Sequence, residues 1–341
     1  MNGTQNWDDS FLSWFADQGI PMSERSVKLG GYQYFQFTSA APGAQGDDIF
    51  SFGCASDRRA AALKCTAEMI ERKFTDEFFQ TAGEKIEASF VDPRSGASLV
   101  SSAQLSDSAP LPPAGLRNSN GWAVYSSVDR AKAKAFLEAM ERHLLIKSFY
   151  RWGWEGFRLV QEIEAPEMQI YFLTSRLVSG GLVGGIVAAK SPLYPGVSFG
   201  YCIGPHAKSK ESVFWENALL ESISKILALA GRPLEVRPGP SAWLQTETKI
   251  YLETPFDLKL LKQGKDLALE DEGPKSYWLK GFDLTQAQKL PFPLGAAFCW
   301  GGNLIPLCSP ALLDETGRRY FEALLKENDL PANVPARHPI L

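Results

Sequence analysis

Apolar residues recur at helical spacing in a few long stretches of this chain and alternate with polar ones in several short stretches. Leu63, Ala67, Ile70 and Phe74 form one stripe, and Ala133, Leu137, Met140 and Leu144 form another, so both stretches are predicted to be amphipathic helices. Ser56 or Asp57 stands where the first helix needs an N-cap, and Ser127 where the second does. The second continues on pattern through Tyr150, and Trp152 and Trp154 read as packing at its end. A third helix is predicted over Ser212–Leu229 and a closing one from about Ser309 to Lys326. Trp7, Phe11, Leu12, Trp14 and Phe15 mark a short helix within 7–22 that either docks on the body or offers a partner surface.

Between the helices, Tyr32–Thr38, Lys85–Val91, Met168–Thr174, Gly185–Ala189 and Val197–Gly204 read as strands, and Ile49–Cys54 as a short strand or turn. The glycine run 179–185 reads as a hairpin connection; it lacks the G-x-G-x-x-G spacing of a dinucleotide loop. A last strand pair is expected around Gly301–Gly302, between Leu294 and Leu307. Residues 41–47 read as a loop, and 101–117, rich in Ser, Pro and Ala, as mobile. Within 231–292, Lys249–Leu252 is strand-like and Pro255–Gln263 helical, while the prolines of the tail 331–341 prevent a continuous helix there. Interleaved strands and helices place the chain in the α/β class.

The two signature helices are written alike. Lys64, Glu68, Glu71 and Arg72 match Lys134, Glu138, Glu141 and Arg142 at a constant separation of 70 residues. Spacings of four and three put the lysine and both glutamates on one stripe beside the apolar one. One such helix is ordinarily a solvated face with i,i+4 ion pairs, but recurrence within the same apolar frame favours a shared site. If the helices face one another, four carboxylates converge on an oxygen-lined gap suited to hard divalent cations and, through them, to a polyphosphate. Asn217–Lys225 looks like a worn third copy, with Glu221 in the place of the first glutamate and Ser224 in that of the second.

Composition narrows the alternatives. The 341 residues, 45% hydrophobic, suffice for one large domain or two ordinary ones. A net charge of −4 without a basic run excludes general attraction to nucleic acid or an anionic membrane. Five scattered cysteines with no C-x-x-C spacing fit reduced thiols, and three histidines exclude a His-rich metal site. The N-terminus lacks the basic start and apolar core of a secretion signal, and the longest apolar run, Leu177–Ala189, is too short to span a bilayer, so a cytoplasmic protein is expected.

A strand, a glycine-containing loop and a helix with Glu-x-x-Glu-Arg, repeated with Ser119-Asn120-Gly121 ahead of the second copy, resembles the YcaO family. The specific part covers 50–74 and 118–145; the broader resemblance runs from about Phe50 to Leu307. It implies a YcaO-like α/β fold of pseudo-repeated strand-loop-helix units around mixed β-sheet, with 1–341 as one domain. Its parts would be an N-terminal helix and strand (1–48), a half with the two signature helices (49–165), a half with the eroded copy (166–330) and the tail (331–341).

The resemblance further implies ATP and magnesium as cofactors. Glu68, Glu71, Glu138 and Glu141 would be magnesium or phosphate-side ligands, with Lys64, Arg72, Asn120 and Arg142 as nucleotide contacts, Ser51 opening the first loop, and Glu221 matching the glutamate of the family's third helix. In the implied reaction a nucleophile attacks a backbone carbonyl of a peptide, and ATP phosphorylates the resulting oxyanion to make it a leaving group. The implied partners are a precursor peptide and a separate leader-binding protein, because the chain leaves no room for a peptide-binding domain; a homodimer is compatible with this. The family's Gly-Lys-Gly stands here as Gly53-Cys54-Ala55, its Gly-Asn as Tyr125-Ser126, and its tight terminal proline run is spaced by four. Azoline formation, thioamide formation with external sulfide, and a non-catalytic YcaO-like scaffold are the resulting alternatives.

Overall fold

The computed structural model describes residues 7–29, 32–43, 48–83, 85–91, 104–113, 116, 120–165, 167–192, 194–229, 268–274, 276–287, 289–306 and 313–331. Their elements begin with α1 (Trp7–Asp17), β1 (Met22–Leu29), β2 (Tyr32–Pro42), β3 (Asp48–Ala55), α2 (Arg58–Thr81), β4 (Lys85–Val91), β5 (Gln104–Pro110), β6 (Trp122–Tyr125) and α3 (Val128–Trp152). They continue with β7 (Phe157–Ala165), β8 (Met168–Ser179), β9 (Leu182–Ser191), β10 (Tyr194–Pro205), α4 (Ser212–Leu229), β11 (Leu269–Glu270), β12 (Tyr277–Asp283), α5 (Leu284–Ala287), β13 (Gly295–Trp300) and α6 (Glu315–Glu327).

These strands form three sheets, ordered β1-β2-β3, then β10-β9-β8-β11 with β7 also on β8, then β5-β4-β12-β13-β6. All pairings are antiparallel except β11 with β8. Each long helix follows one strand and lies between two sheets: α2 touches β2 and β3 and also β6; α3 touches β6, β12 and β13 and also β8, β9 and β10; α4 touches β9 and β10 and also β3. The contacts close a ring of three sheets with three helices wedged between them. Asp57 caps α2 through Ala60 N at 2.7 Å, and Ser127 caps α3 through Arg130 N at 3.4 Å, so both helices start where the cap residues predict.

The wedges are tight because small residues line them. A Cβ on Gly53 of β3 would lie 2.0 Å from the Ala61 carbonyl oxygen of α2, and one on Gly200 of β10 would lie 1.8 Å from that of Ala218 in α4. The fully buried side of α2 is Ala61, Cys65 and Met69, while the expected stripe of Leu63, Ala67 and Phe74 is only partly buried, against the cluster that holds Met69 with Phe11, Phe15 and Phe292. In α3 the expected stripe is also displaced: Ala133 is exposed, and Ala135, Phe136, Ala139 and His143 are buried with Met140 and Leu144. A helix wedged between two sheets buries more than one face, which a single-stripe reading misses.

Phe11 and Phe15 are buried and Trp7 stacks on Phe11 at 4.7 Å, so α1 docks on the body and is not a free aromatic surface. Residues 104–110, expected to be mobile, pair as β5 with β4, and Trp300 Nε1 donates to Pro110 O at 2.9 Å. Ala41 and Pro42 belong to β2 where a loop is expected. The stretch after Leu294 yields one strand, β13, then a turn at Gly301 and Gly302 with φ of 77° and 59°; its partners are β12 and β6 instead of a second local strand. The closing helix starts later than expected, capped by Asp314. The predicted elements 249–252 and 255–263 and the tail beyond Pro331 lie outside the described residues. Among the described residues no helix is long and apolar enough to cross a membrane, and Cys54, Cys65, Cys202 and Cys299 are free, buried thiols.

Gly200→Ala is expected to destabilise the protein by about 3 kcal/mol or more, because the added methyl meets backbone that belongs to a long helix. A Cβ on Gly83 meets nothing within 4 Å, so Gly83→Ala is expected to shift stability by less than about 1 kcal/mol. Urea denaturation midpoints of the two variants check both.

Candidate functional site

The first glutamate of each copy is tied to the strand that leads into its helix. Glu68 Oε2 accepts from Phe52 N of β3 at 2.8 Å, and Glu221 Oε2 accepts from Tyr201 N of β10 at 2.9 Å. Glu138 accepts from the backbone of Gly121, just ahead of β6. Gly121 has φ of 73° and a Cβ there would lie 2.1 Å from the Cys299 carbonyl oxygen, so only glycine suits the position. Glu71 crosses to the next unit and accepts from the backbone of Val124 in β6. The three units thus share one interior, with the carboxylates of α2, α3 and α4 turned toward it.

Burial and mutual repulsion shift the carboxyls of that interior unequally. Burial, reinforced by Glu138 and Glu68, pushes Glu71 well above the usual carboxylate range. Burial pushes Glu138 to about 8, with Glu141 and Glu221 adding to the effect and Arg142 opposing it. Burial likewise raises Glu141 to about 7. Burial acts on Glu221 too, but Lys225 and Arg142 more than offset it and hold Glu221 below its ordinary value.

The cations stand at the ends of the stripe. Arg72 Nη2 pairs with Glu68 at 2.6 Å, and Lys225 Nζ with Glu221 at 2.9 Å, both across one helical turn. Arg142 Nη1 lies 3.2 Å from Glu141 Oε1 as an ion pair, yet neither Nε nor Nη1 has a hydrogen-bond partner among the described residues. Lys64 Nζ donates to Asn217 Oδ1 at 3.2 Å, joining α2 to α4. Burial lowers the Lys64 pKa, and Lys134 adds to this.

Lys225 and Asn217 are the residues that sequence reasoning left without a role. The separation of 153 residues that carries Glu68 onto Glu221 also carries Lys64 onto Asn217 and Arg72 onto Lys225. A lysine in an arginine's place keeps the charge while breaking the letter pattern, and that register was the available signal.

Two expectations need correction. The four carboxylates do not close on one ready-made gap: among the described residues no group of three or more carboxylate, histidine or cysteine side chains is placed to hold a metal ion. Backbone N–H groups draw Glu68, Glu71 and Glu138 onto their strands, and mutual repulsion opposes a tighter cluster. Ser51 does not open a loop. It lies within β3, fully buried, with Oγ 3.3 Å from Cys65 Sγ, so its hydroxyl presents no surface to a ligand. Asn120 sits in the turn before β6 and lines a cleft with Arg142, Ala139, Trp300, Ile305 and Tyr320. Cys54, where the resemblance leads one to expect lysine, is buried, and burial raises its thiol to about 11.

The mixed α/β arrangement of three sheets and three long helices is a YcaO-like fold. A solved YcaO from Methanopyrus kandleri, bound with AMPPCP and Mg2+, superposes with a TM-score of 0.50 at 14% identity, over 87% of this chain and 91% of that one. A heterocyclase in complex with substrate and cofactor gives a TM-score of 0.50 at 11% identity over 88% of this chain, which spans 53% of that longer protein. No family model and no curated protein matches the sequence.

The residues fit magnesium and a polyphosphate by donor chemistry. Oxygen ligands suit the hard cation, carboxyls raised by burial and by one another would gain from a nearby cation, and the guanidinium of Arg142 holds Nε and Nη1 without hydrogen-bond partners among the described residues.

A carboxyl with a higher pKa in the folded chain than in the unfolded one binds its proton more tightly when folded. Its stabilising effect is full below the ordinary value of 4.5 and is lost as pH rises through about 7 for Glu141 and about 8 for Glu138. The thermal midpoint of the protein without nucleotide is therefore expected to fall between pH 5 and pH 8.5, and Glu138→Gln to flatten that fall. A midpoint that is level across this range in the wild type contradicts the assignment.

Proposed function

We propose that this protein is an ATP- and magnesium-dependent enzyme that activates backbone amides of a ribosomally made peptide, giving an azoline or related heterocycle. The observation that carries the reading is the shared interior of α2, α3 and α4, where raised carboxylates stand beside an arginine with unpartnered donors. The likeness of fold to proteins solved with AMPPCP and Mg2+, and with substrate and cofactor, supports it. Residues 1–341 would act as one YcaO-like domain.

Glu68, Glu71, Glu138 and Glu141 would hold magnesium on the phosphate side. Arg72, Arg142, Lys225 and Lys64 would meet the phosphate chain, with Asn120 at the mouth of the cleft that Arg142 also lines. Glu221 would keep Lys225 in place through their ion pair. Bound ATP supplies the phosphoryl group that converts the oxygen of an attacked amide carbonyl into a leaving group. The protein's part is positioning and charge neutralisation, which this class of reaction chiefly requires. A precursor peptide is the substrate, presented by a separate leader-binding partner.

A second reading, a YcaO-like scaffold without turnover, is favoured by one observation: a buried, protonated thiol at Cys54 cannot replace a lysine beside phosphate.

Isothermal titration checks nucleotide binding. The wild type is expected to bind magnesium-ATP, and Glu68→Ala and Glu138→Ala to weaken it at least about tenfold, or ~1.4 kcal/mol. No binding by the wild type, or unchanged binding by both variants, overturns the reading. ADP release with a candidate precursor and partner then separates enzyme from scaffold, since a scaffold gives none above background.

A further inference from the structure

Tyr201 stands where the second and third units meet, and it touches both. Its backbone N–H donates to Glu221 Oε2 at 2.9 Å. Its ring lies beneath two cations from different helices: Arg142 Cζ of α3 and Lys225 Nζ of α4 are each 4.8 Å from the ring centroid. The residue is 3% exposed, so the ring is fixed in the core of β10.

Two cations sharing one ring oppose each other, and Arg142 disfavours the charged form of Lys225. Lys225 is held by Glu221 Oε1 at 2.9 Å and by Phe199 O at 2.8 Å. Arg142 is drawn by Glu141, Glu138 and Glu221 through charge, but neither Nε nor Nη1 makes a hydrogen bond among the described residues. The negative face of the Tyr201 ring is the neutral contact that the guanidinium and the ammonium share. A carboxylate there would bind both cations more strongly but would cancel the charge they offer to a ligand. A neutral aromatic face holds them and leaves that charge available.

We propose that Tyr201 is a positioning residue that presents Arg142 and Lys225 as a cation pair to the phosphate chain of the nucleotide. The proposal rests on the reading of this interior as a nucleotide site, and it adds a residue whose ring acts through its two neighbours without touching the reacting atoms.

The test replaces Tyr201 with phenylalanine and then with mono-, di- and trifluorinated phenylalanine by encoded incorporation. Fluorine draws charge from the ring face while nearly preserving shape, so folding is retained and only the cation–π contact changes. Affinities for magnesium-ATP, magnesium-ADP, AMP and magnesium tripolyphosphate are read by titration calorimetry. Phenylalanine is expected to stay close to the wild type, and the series to weaken magnesium-ATP stepwise, reaching about tenfold with three fluorines. The loss should shrink from ATP to ADP to AMP and persist for tripolyphosphate, because the pair acts on phosphate charge. A flat series in a protein that binds magnesium-ATP overturns the role of Tyr201 alone, as does an equal loss for all nucleotides, which marks a merely structural ring. Absence of binding by the wild type overturns the nucleotide reading and this proposal with it.

Discussion

The structure depends on keeping like-charged, largely desolvated carboxylates together where three helices meet their strands. A buried carboxylate is tolerated only when hydrogen-bonded or neutralised, and here the hydrogen bonds come from strand backbone. Phe52, Gly121 and Tyr201 each offer an amide to the first glutamate of the helix that follows, and Val124 offers one to Glu71. Each such contact requires the helix to lie close along its strand. That requirement explains why Gly53 and Gly200 sit against helix backbone, where even a methyl would intrude. The tight strand-to-helix packing and the acidic interior are therefore one arrangement seen from two sides.

The repeat was legible in the sequence because the first two copies keep the letters and spacing of Lys-x3-Glu-x2-Glu-Arg without a gap. The third was legible only through Glu221, since Lys225 keeps the charge of Arg72 and Arg142 but not the letter. The strand before each helix was partly legible: β3 and β10 alternate or carry glycine, and the caps Asp57 and Ser127 mark the helix starts. The ring of sheets was not legible. It rests on pairings such as Tyr277 with Val91 and Trp278 with Trp300, between segments far apart in the chain and with no local signal.

Missed strands have specific causes. β7 presents Gln161, Glu162, Ile163 and Glu164 to solvent, so its apolar alternation is broken where the pattern would need it. β12 carries Lys280 and Gly281, residues depleted in strands, yet it is central in its sheet because Tyr277 and Leu279 are buried against α3 and its neighbours. Ser51 illustrates the opposite error. Its letter suits a ligand-binding loop, but its place in the alternation of β3 turns it inward onto Cys65.

Charge in the interior is balanced in number but not in place. Glu68, Glu71, Glu138, Glu141 and Glu221 face Lys64, Arg72, Lys134, Arg142 and Lys225. Lys64 and Lys134 stand one turn before the first glutamates, where Lys64 is taken up by Asn217 and Lys134 only partly offsets the rise of Glu141. Arg72 and Lys225 are engaged by Glu68 and Glu221 across one helical turn. Glu138 and Glu141 share Arg142 with Glu221, Glu71 has only the already engaged Arg72, and burial raises the pKa values of these three. An added cation gains most beside those three, and an added anion gains most beside Arg142, whose donors are unpartnered. A magnesium-bound polyphosphate satisfies both demands at once, whereas a free anion would worsen the first and a bare cation would leave the second unmet.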